Sequence, residues 1–280
     1  MESGDPLVSA DWLKEHISAP DIRIIDATWF APFTNPAQTG RQAYMAGHIP
    51  GAHFFDIDAI ARQDTDLPHM LPDPVMFSSR VRKLGIGDGN RIIVYDQNGF
   101  FASARVWWML RVMGHQDVKV LDGGYAAWLA AGGEVEDLPP VAVERHFTAR
   151  VRSDLVKDAA QVHAISASGS HKLIDARAAD RFSGEAPEPR EGLSSGHIPG
   201  SVCVPCSKLM NADGTMKSAA DLAPLFDNPM AAIVATCGSG VSAAVTALAL
   251  ARLGNWDVAV YDGSWTEWAS DPARPVATDA

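Results

Sequence analysis

Short apolar runs alternate with longer stretches of helical periodicity along the whole chain. "IRIID", "AHFFDI", "RIIVYD" and "VKVLDG" in the first half read as strands, as do "KLIDA", "SVCVP", "AAIVAT" and "VAVYDG" in the second. Their near-continuous apolarity predicts sheets covered on both faces. "SARVWWMLRVMGH" and "SAAVTALALARLGN" read as helices, with Gly114 and Gly254 placed to stop them. Strand and helix in alternation predict an α/β fold with mainly parallel sheets.

The pattern is also duplicated. Gly47-His48-Ile49-Pro50-Gly51 returns as Gly196-His197-Ile198-Pro199-Gly200, and Ile25-Asp26-Ala27 returns as Ile174-Asp175-Ala176, both at an offset of 149. "VLDGGYAAW" from Val120 echoes "VYDGSWTEW" from Val260 at an offset of 140. Two copies of one domain follow. The change of offset gives the first copy nine extra residues, placed in or near "RQDTDLPHMLPD", residues 62–73. Between the copies, Gly and Pro followed by mixed charge without a helical period read as a linker, so the chain divides into 1–138, a linker over 139–155, and 156–280.

At 280 residues each copy is long enough to bury a core, and 47% apolar with 20% charged residues describes an ordinary globular chain. The net charge of −11 argues against nucleic acid or an anionic membrane as partner. An anionic substrate must be met by locally placed arginines. The N-terminus lacks a basic segment followed by an apolar one, so no signal peptide is read and a cytoplasmic location is expected. Ala231 to Ala251 is uncharged over 21 residues, but its Gly, Ser and Thr content fits strand, loop and helix better than a membrane span.

Three cysteines, Cys203, Cys206 and Cys237, suit a reducing compartment better than a disulfide framework. Cys237 opens "CGSGVS" between the strand "AAIVAT" and a helix, where ligands of parallel sheets bind. Unpaired N–H groups and the helix dipole favour an anion there, so a thiolate is stabilised and the thiol acidified. Gly238 and Gly240 are expected to let the backbone turn several N–H groups toward one sulfur. The competing reading is a small buried residue at a strand end, the common fate of a free cysteine. A tyrosine-phosphatase cradle needs Arg six positions after the Cys, and Ala243 stands there.

With its two "GHIPG" segments, "RVWWMLRVMGH", "YDGSW" and a single C-terminal loop Cys, the chain resembles the tandem-domain rhodanese superfamily from about Val8 to Trp268. The resemblance implies two duplicated rhodanese-like domains, each a mainly parallel five-stranded sheet flanked by helices, with Cys237 the nucleophile of the second. The first copy offers Asp96 or Gln97 at the matching position. Thiosulfate-using members carry two basic side chains in the loop after the Cys, and "CGSGVS" has none. It is similar to the "CGSGVT" loop of the 3-mercaptopyruvate branch, with Ser242 for Thr, and the substrate-binding loop then comprises Gly238, Gly240, Val241 and Ser242.

That branch implies further residues. Arg181 and Arg190 in "RFSGEAPEPREG" match two arginines that hold the carboxylate and keto oxygen of the substrate, a task suited to the planar guanidinium fork. Read without the resemblance, they are loop arginines paired with Glu185 and Glu188. Ser239, His69 and Asp58 match a proton relay beside the nucleophile, with His69 and Asp58 drawn from the first copy. The activity implied is sulfur transfer from 3-mercaptopyruvate through a Cys237 persulfide to a thiol, thioredoxin or cyanide. A thiosulfate:cyanide sulfurtransferase and a non-catalytic persulfide carrier are the alternatives. No metal and no organic cofactor is implied. His48 and His197 read as structural because both copies have them. Cys203 and Cys206 match Phe54 and Ile57 in the first copy, which reads as core packing, and the single CVPC has no second pair for a zinc site.

Overall fold

The computed structural model describes residues 4–31, 33 and 37–279. The first copy runs β1 (Leu7–Val8), α1 (Ala10–His16), β2 (Ile22–Asp26), α2 (Gly40–Ala46), β3 (His53–Phe54), α3 (Ile57–Ile60), α4 (Pro74–Lys83), β4 (Arg91–Tyr95), α5 (Phe101–Val112), β5 (Val118–Leu121) and α6 (Gly124–Ala130). The second runs β6 (Val156–Lys157), α7 (Ala159–Ser168), β7 (Lys172–Asp175), α8 (Ala179–Ser183), β8 (Ser201–Cys203), α9 (Ala219–Leu222), β9 (Ile233–Thr236), α10 (Val241–Arg252), β10 (Ala259–Tyr261) and α11 (Ser264–Ala269). Two five-stranded sheets result, in the orders β1-β5-β4-β2-β3 and β6-β10-β9-β7-β8. Every paired strand runs parallel to its neighbour.

The eight apolar runs supply four strands to each sheet, and the fifth is a two-residue edge strand, β1 or β6. Central strands such as β4, with Ile92, Ile93, Val94 and Tyr95 all buried, carry apolar residues on both faces because helices cover both. In α5 every residue from Ala102 to Val112 is buried, and α10 is buried at all positions but Ser242 and Arg252. A helix apolar all round has no solvent face. Both belong to one continuous core that crosses from one copy to the other. Gly114 and Gly254 follow the two helices at φ 89° and 97°, a region only glycine enters freely. Among the described residues no helix is long and apolar enough to cross a membrane.

Strand register locates the extra residues of the first copy. The offset between copies is 149 at β3 and β8, where Phe54 and Cys203 pair with Asp26 and Asp175. It is 141 at β4 and β9, where Tyr95 and Thr236 pair with the same two aspartates. Eight extra residues therefore lie between β3 and β4, where residues 62–73 fall. The ninth lies in the loop after the next strand: four residues, Asp96–Gly99, separate β4 from Phe100, against three, Cys237–Ser239, between β9 and Gly240. Phe100 and Gly240 cap their helices with the same left-handed backbone, φ 63° and 76°.

The copies are fastened to each other reciprocally. The Asp262 carboxylate, after β10, accepts from Leu71 N at 2.7 Å, and that of Asp122, after β5, accepts from Met216 N at 2.8 Å. Each aspartate thus reaches into the long connection of the other copy.

Candidate active site

A cavity of about 430 Å³ opens between the copies, beyond the C-terminal end of β9. Trp29, Phe33 and Phe101 wall it from the first copy, and Arg181, Arg190 and Cys237 from the second. Strand β9 ends one residue before Cys237, and α10 begins at Val241, so the thiol stands at a strand-to-helix turn. Cys237 is 1% exposed. Its own N–H donates to Ser264 Oγ at 3.2 Å, and its carbonyl accepts from Trp265 N at 2.9 Å. These bonds fix the backbone of the loop to the start of α11.

The two glycines differ in purpose. At Gly240 the φ of 76° is left-handed, and a methyl group there would lie 2.7 Å from Asp262 O and 2.9 Å from Arg105 Nη1. Gly238 has no such backbone, and a methyl group on it would lie 3.5 Å from Arg181 Nη2 and 3.6 Å from Arg190 Nη1, ordinary contact distances. The expectation that both glycines serve the turn is corrected for Gly238, whose bare surface lies under the two guanidinium groups. Gly240→Ala is expected to cost about 2 kcal/mol or more, from the left-handed backbone and the contacts combined. Gly238→Ala should unfold within a few degrees of the unmodified protein. Equal melting temperatures for the two variants would contradict this distinction.

The two arginines are also unequal. Arg181 directs Nε and Nη2 to the two oxygens of buried Glu188, with Nε to Oε1 at 3.2 Å. Arg177 shares that carboxylate through Nη1 at 2.7 Å and pairs with Asp175 through Nη2 at 2.6 Å. Asp175 and Glu188 are thus taken up by Arg177 and Arg181. Among the described residues no carboxylate pairs with Arg190; its Nη2 donates to Ser239 Oγ at 3.4 Å and its guanidinium lies over Phe33, 5.6 Å from the ring centre. Burial and the nearby Arg181 lower its pKa from the ordinary value, with Cys237, Glu188 and Asp58 acting against them.

A family model for the rhodanese-like domain matches the chain twice, over residues 9–131 and 158–271. The chain belongs to the rhodanese family. This rhodanese is 41% identical over 276 residues to the 3-mercaptopyruvate sulfurtransferase of Escherichia coli strain K12, covering 96% of each chain. It is 42% identical over 275 residues to the thiosulfate sulfurtransferase of Rattus norvegicus, covering 94% of this chain and 91% of the relative. The crystal structure of SseA from Escherichia coli, a 3-mercaptopyruvate sulfotransferase, matches with a TM-score of 0.86 at 39% identity, over 94% of this chain and 99% of that one.

Behind Trp29, which lines the cavity, His69 and Asp58 come together from the first copy, with Nδ1 and Oδ1 2.7 Å apart; neither lines the cavity itself. Trp29 Nε1 donates to the other Asp58 oxygen at 2.7 Å, and the Trp29 ring meets the His69 ring edge-on at 4.8 Å. Burial works against the Asp58 charge, but His69, Trp29 and Arg190 outweigh it and hold the carboxyl below the ordinary carboxylate range. The bond that would complete the relay is not formed: Ser239 Oγ is taken by Arg190, and His69 Nε2 has no partner among the described residues. Hydrogen bonds of this kind commonly tighten only when a substrate binds.

Of the remaining candidates, Val241 and Ser242 line the cavity as the first two residues of α10. His48 and His197 do stay outside it, bonding Tyr44 O and Phe182 O at 2.9 Å each. The first copy fills its own strand-to-helix turn with Asp96, not Gln97: Asp96 O accepts from Tyr125 N as Cys237 O accepts from Trp265 N. The buried Asp96 carboxylate accepts from the N–H groups of Phe100, Ala102 and Ser103 at 3.1, 3.1 and 2.8 Å. Cys206 packs against the core as expected and also lines the cavity with Cys237, whereas core packing is corrected for Cys203, which is half-buried on β8 and joins no core cluster among the described residues.

Sequence reasoning also passed over Arg105. Fully buried in α5, it donates to His69 O, to Gly240 O at 3.2 Å and to Asp262 Oδ1 at 2.7 Å, and stacks over Trp108. A signal existed, since a charge inside a largely apolar helix must find partners.

Proposed function

We propose that this rhodanese is a 3-mercaptopyruvate sulfurtransferase with Cys237 as its nucleophile. The observation that carries the reading is the guanidinium of Arg190, which forms no ion pair among the described residues and stands beside Gly238 and Ser239 without belonging to the loop that holds the sulfur. A donor whose carboxylate is remote from its sulfur fits that separation; thiosulfate, with charge beside the transferred sulfur, does not. In the reaction the Cys237 thiolate attacks the substrate sulfur, the carbon–sulfur bond breaks, and its electron pair leaves on the enolate of pyruvate, which takes up a proton. The outer sulfur stays on Cys237 as a persulfide until a thiol acceptor, a thioredoxin or cyanide removes it. Backbone N–H groups at the start of α10 offset the negative charge at each stage. Arg190 holds the carboxylate, with Arg181 beside it on the keto oxygen while its other edge stays with Glu188. Ser239, with His69 and Asp58 behind it, moves the proton between the substrate thiol and the enolate. The cytoplasm, with its thiol reductants, is the compartment in which this cycle would run.

Arg190→Ala is expected to lower kcat/KM for 3-mercaptopyruvate by about 10- to 100-fold, the worth of one charge-assisted hydrogen bond of about 1.5–3 kcal/mol. Its effect on the thiosulfate and cyanide reaction should be much smaller. Steady-state rates with both donors decide: equal losses would remove the carboxylate from Arg190. The likeness to the rat thiosulfate sulfurtransferase makes thiosulfate use the second reading, and a higher kcat/KM for thiosulfate in the unmodified protein would favour it.

A further inference from the structure

The cavity holds a second thiol that the reaction above does not use. Cys206 begins a 3₁₀ turn, Cys206–Leu209, just beyond β8, and its N–H donates to Ala176 O at 3.0 Å. Ala176 N donates in turn to Thr236 O at 2.9 Å, so two backbone steps at one end of the sheet connect Cys206 to the residue before Cys237. Both cysteines line the same cavity, and Ser242, which lines it too, neighbours the Cys206 thiol. Cys206 is half-buried where Cys237 is buried, so it is the more accessible of the two. Cys203 does not share the position: it lies on β8 with Sγ 3.7 Å from Arg177 O. The matching residue of the first copy, Ile57, is buried in the core.

We propose that Cys206 is a second sulfur-carrying thiol, to which the outer sulfur of a Cys237 persulfide passes within the cavity. The proposal rests on the sulfurtransferase reading. In the step, the Cys206 sulfur attacks the outer sulfur, the sulfur–sulfur bond of Cys237 breaks, and Cys237 leaves as thiolate. The Cys206 proton moves to the transferred sulfur, so one proton and one negative charge are present before and after, and no oxidant is consumed. Burial and the neighbouring Cys237 push the Cys206 thiol up to about 11. A thiol raised in this way holds the transferred sulfur firmly. Cys237, emptied, can then take sulfur from a second donor molecule, while the first sulfur waits nearer the mouth for an acceptor too large to reach Cys237.

The test is a rapid-mix burst of pyruvate from excess 3-mercaptopyruvate without acceptor, followed by intact mass and peptide fragmentation. Two equivalents of pyruvate and two added sulfur atoms, one on Cys237 and one on Cys206, are expected for the unmodified protein. Cys206→Ser should halve the burst and carry one sulfur, and Cys237→Ser should carry none. A single equivalent in the unmodified protein overturns the proposal. So does a second sulfur located on Cys237, or a Cys206–Cys237 disulfide with release of hydrosulfide. Absence of both pyruvate and adduct in the unmodified protein and Cys206→Ser alike would instead sink the mercaptopyruvate reading on which the proposal stands.

Discussion

Cys237→Ser is expected to release no measurable pyruvate from 3-mercaptopyruvate and to acquire no sulfur, a loss on the order of 10⁴-fold or more, the scale on which a covalent nucleophile acts. A hydroxyl in the same place stays protonated and cannot form the sulfur–sulfur bond on which the cycle turns. The fold should be indifferent to the change. The side chain is buried at a strand end, serine has nearly its volume, and the Cys237 backbone bonds to Ser264 and Trp265 do not involve the sulfur. Thermal melting, pyruvate release and intact mass on one preparation separate the possibilities. Unchanged melting with abolished turnover places Cys237 in the chemistry, and retained turnover would return it to the role of a small buried residue.

Arg105→Met is expected to damage folding and activity together. The guanidinium is fully buried and holds three acceptors that belong to different parts of the chain: His69 O, Gly240 O and the Asp262 carboxylate. Removing it leaves Asp262 charged and buried with only Leu71 N as partner among the described residues, a loss of about 3–5 kcal/mol. Lysine cannot substitute, because its single ammonium does not reproduce a planar fork aimed at several oxygens. The double variant Arg105→Met with Asp262→Leu should regain part of the stability, since no unpaired charge remains. It should regain little activity, because the carbonyls of Gly240 and His69 are no longer held, and these fix the thiol loop and the histidine. Denaturant midpoints and kcat for the three proteins test this; a double variant no more stable than Arg105→Met would mean that the charge pair is not what Arg105 contributes.

The fold was legible where the chain repeats itself. "IRIID" coincides with β2, and the two long helices end before the glycines that mark them. β1 and β6 escaped because two residues carry no periodicity and are strands only through a neighbour's hydrogen bonds. Cys237, Ser239, Arg181 and Arg190 do gather at one cavity, and His69 does pair with Asp58. What pattern alone missed was direction. Cys206 matches a core position in register, yet its turn brings it to the cavity. Arg181 and Arg190 look alike in sequence, yet only one is neutralised by Glu188. The role of Arg105 depends on which three loops converge on one helix, a property of packing rather than of local spacing.

The Asp96 carboxylate has a consequence for how such a protein can change. At the turn where the second copy keeps an exchangeable sulfur, the first holds a buried carboxyl group that accepts from the N–H groups of Phe100, Ala102 and Ser103, in a loop one residue longer. Replacing Asp96 by cysteine would not create a second reaction centre, because the longer loop would still set the backbone differently and Phe100 would still occupy the glycine position. At least a deletion and two substitutions would be needed together. The division of labour between the duplicated halves is therefore hard to reverse, because no single substitution rebuilds a thiol loop in the silent half.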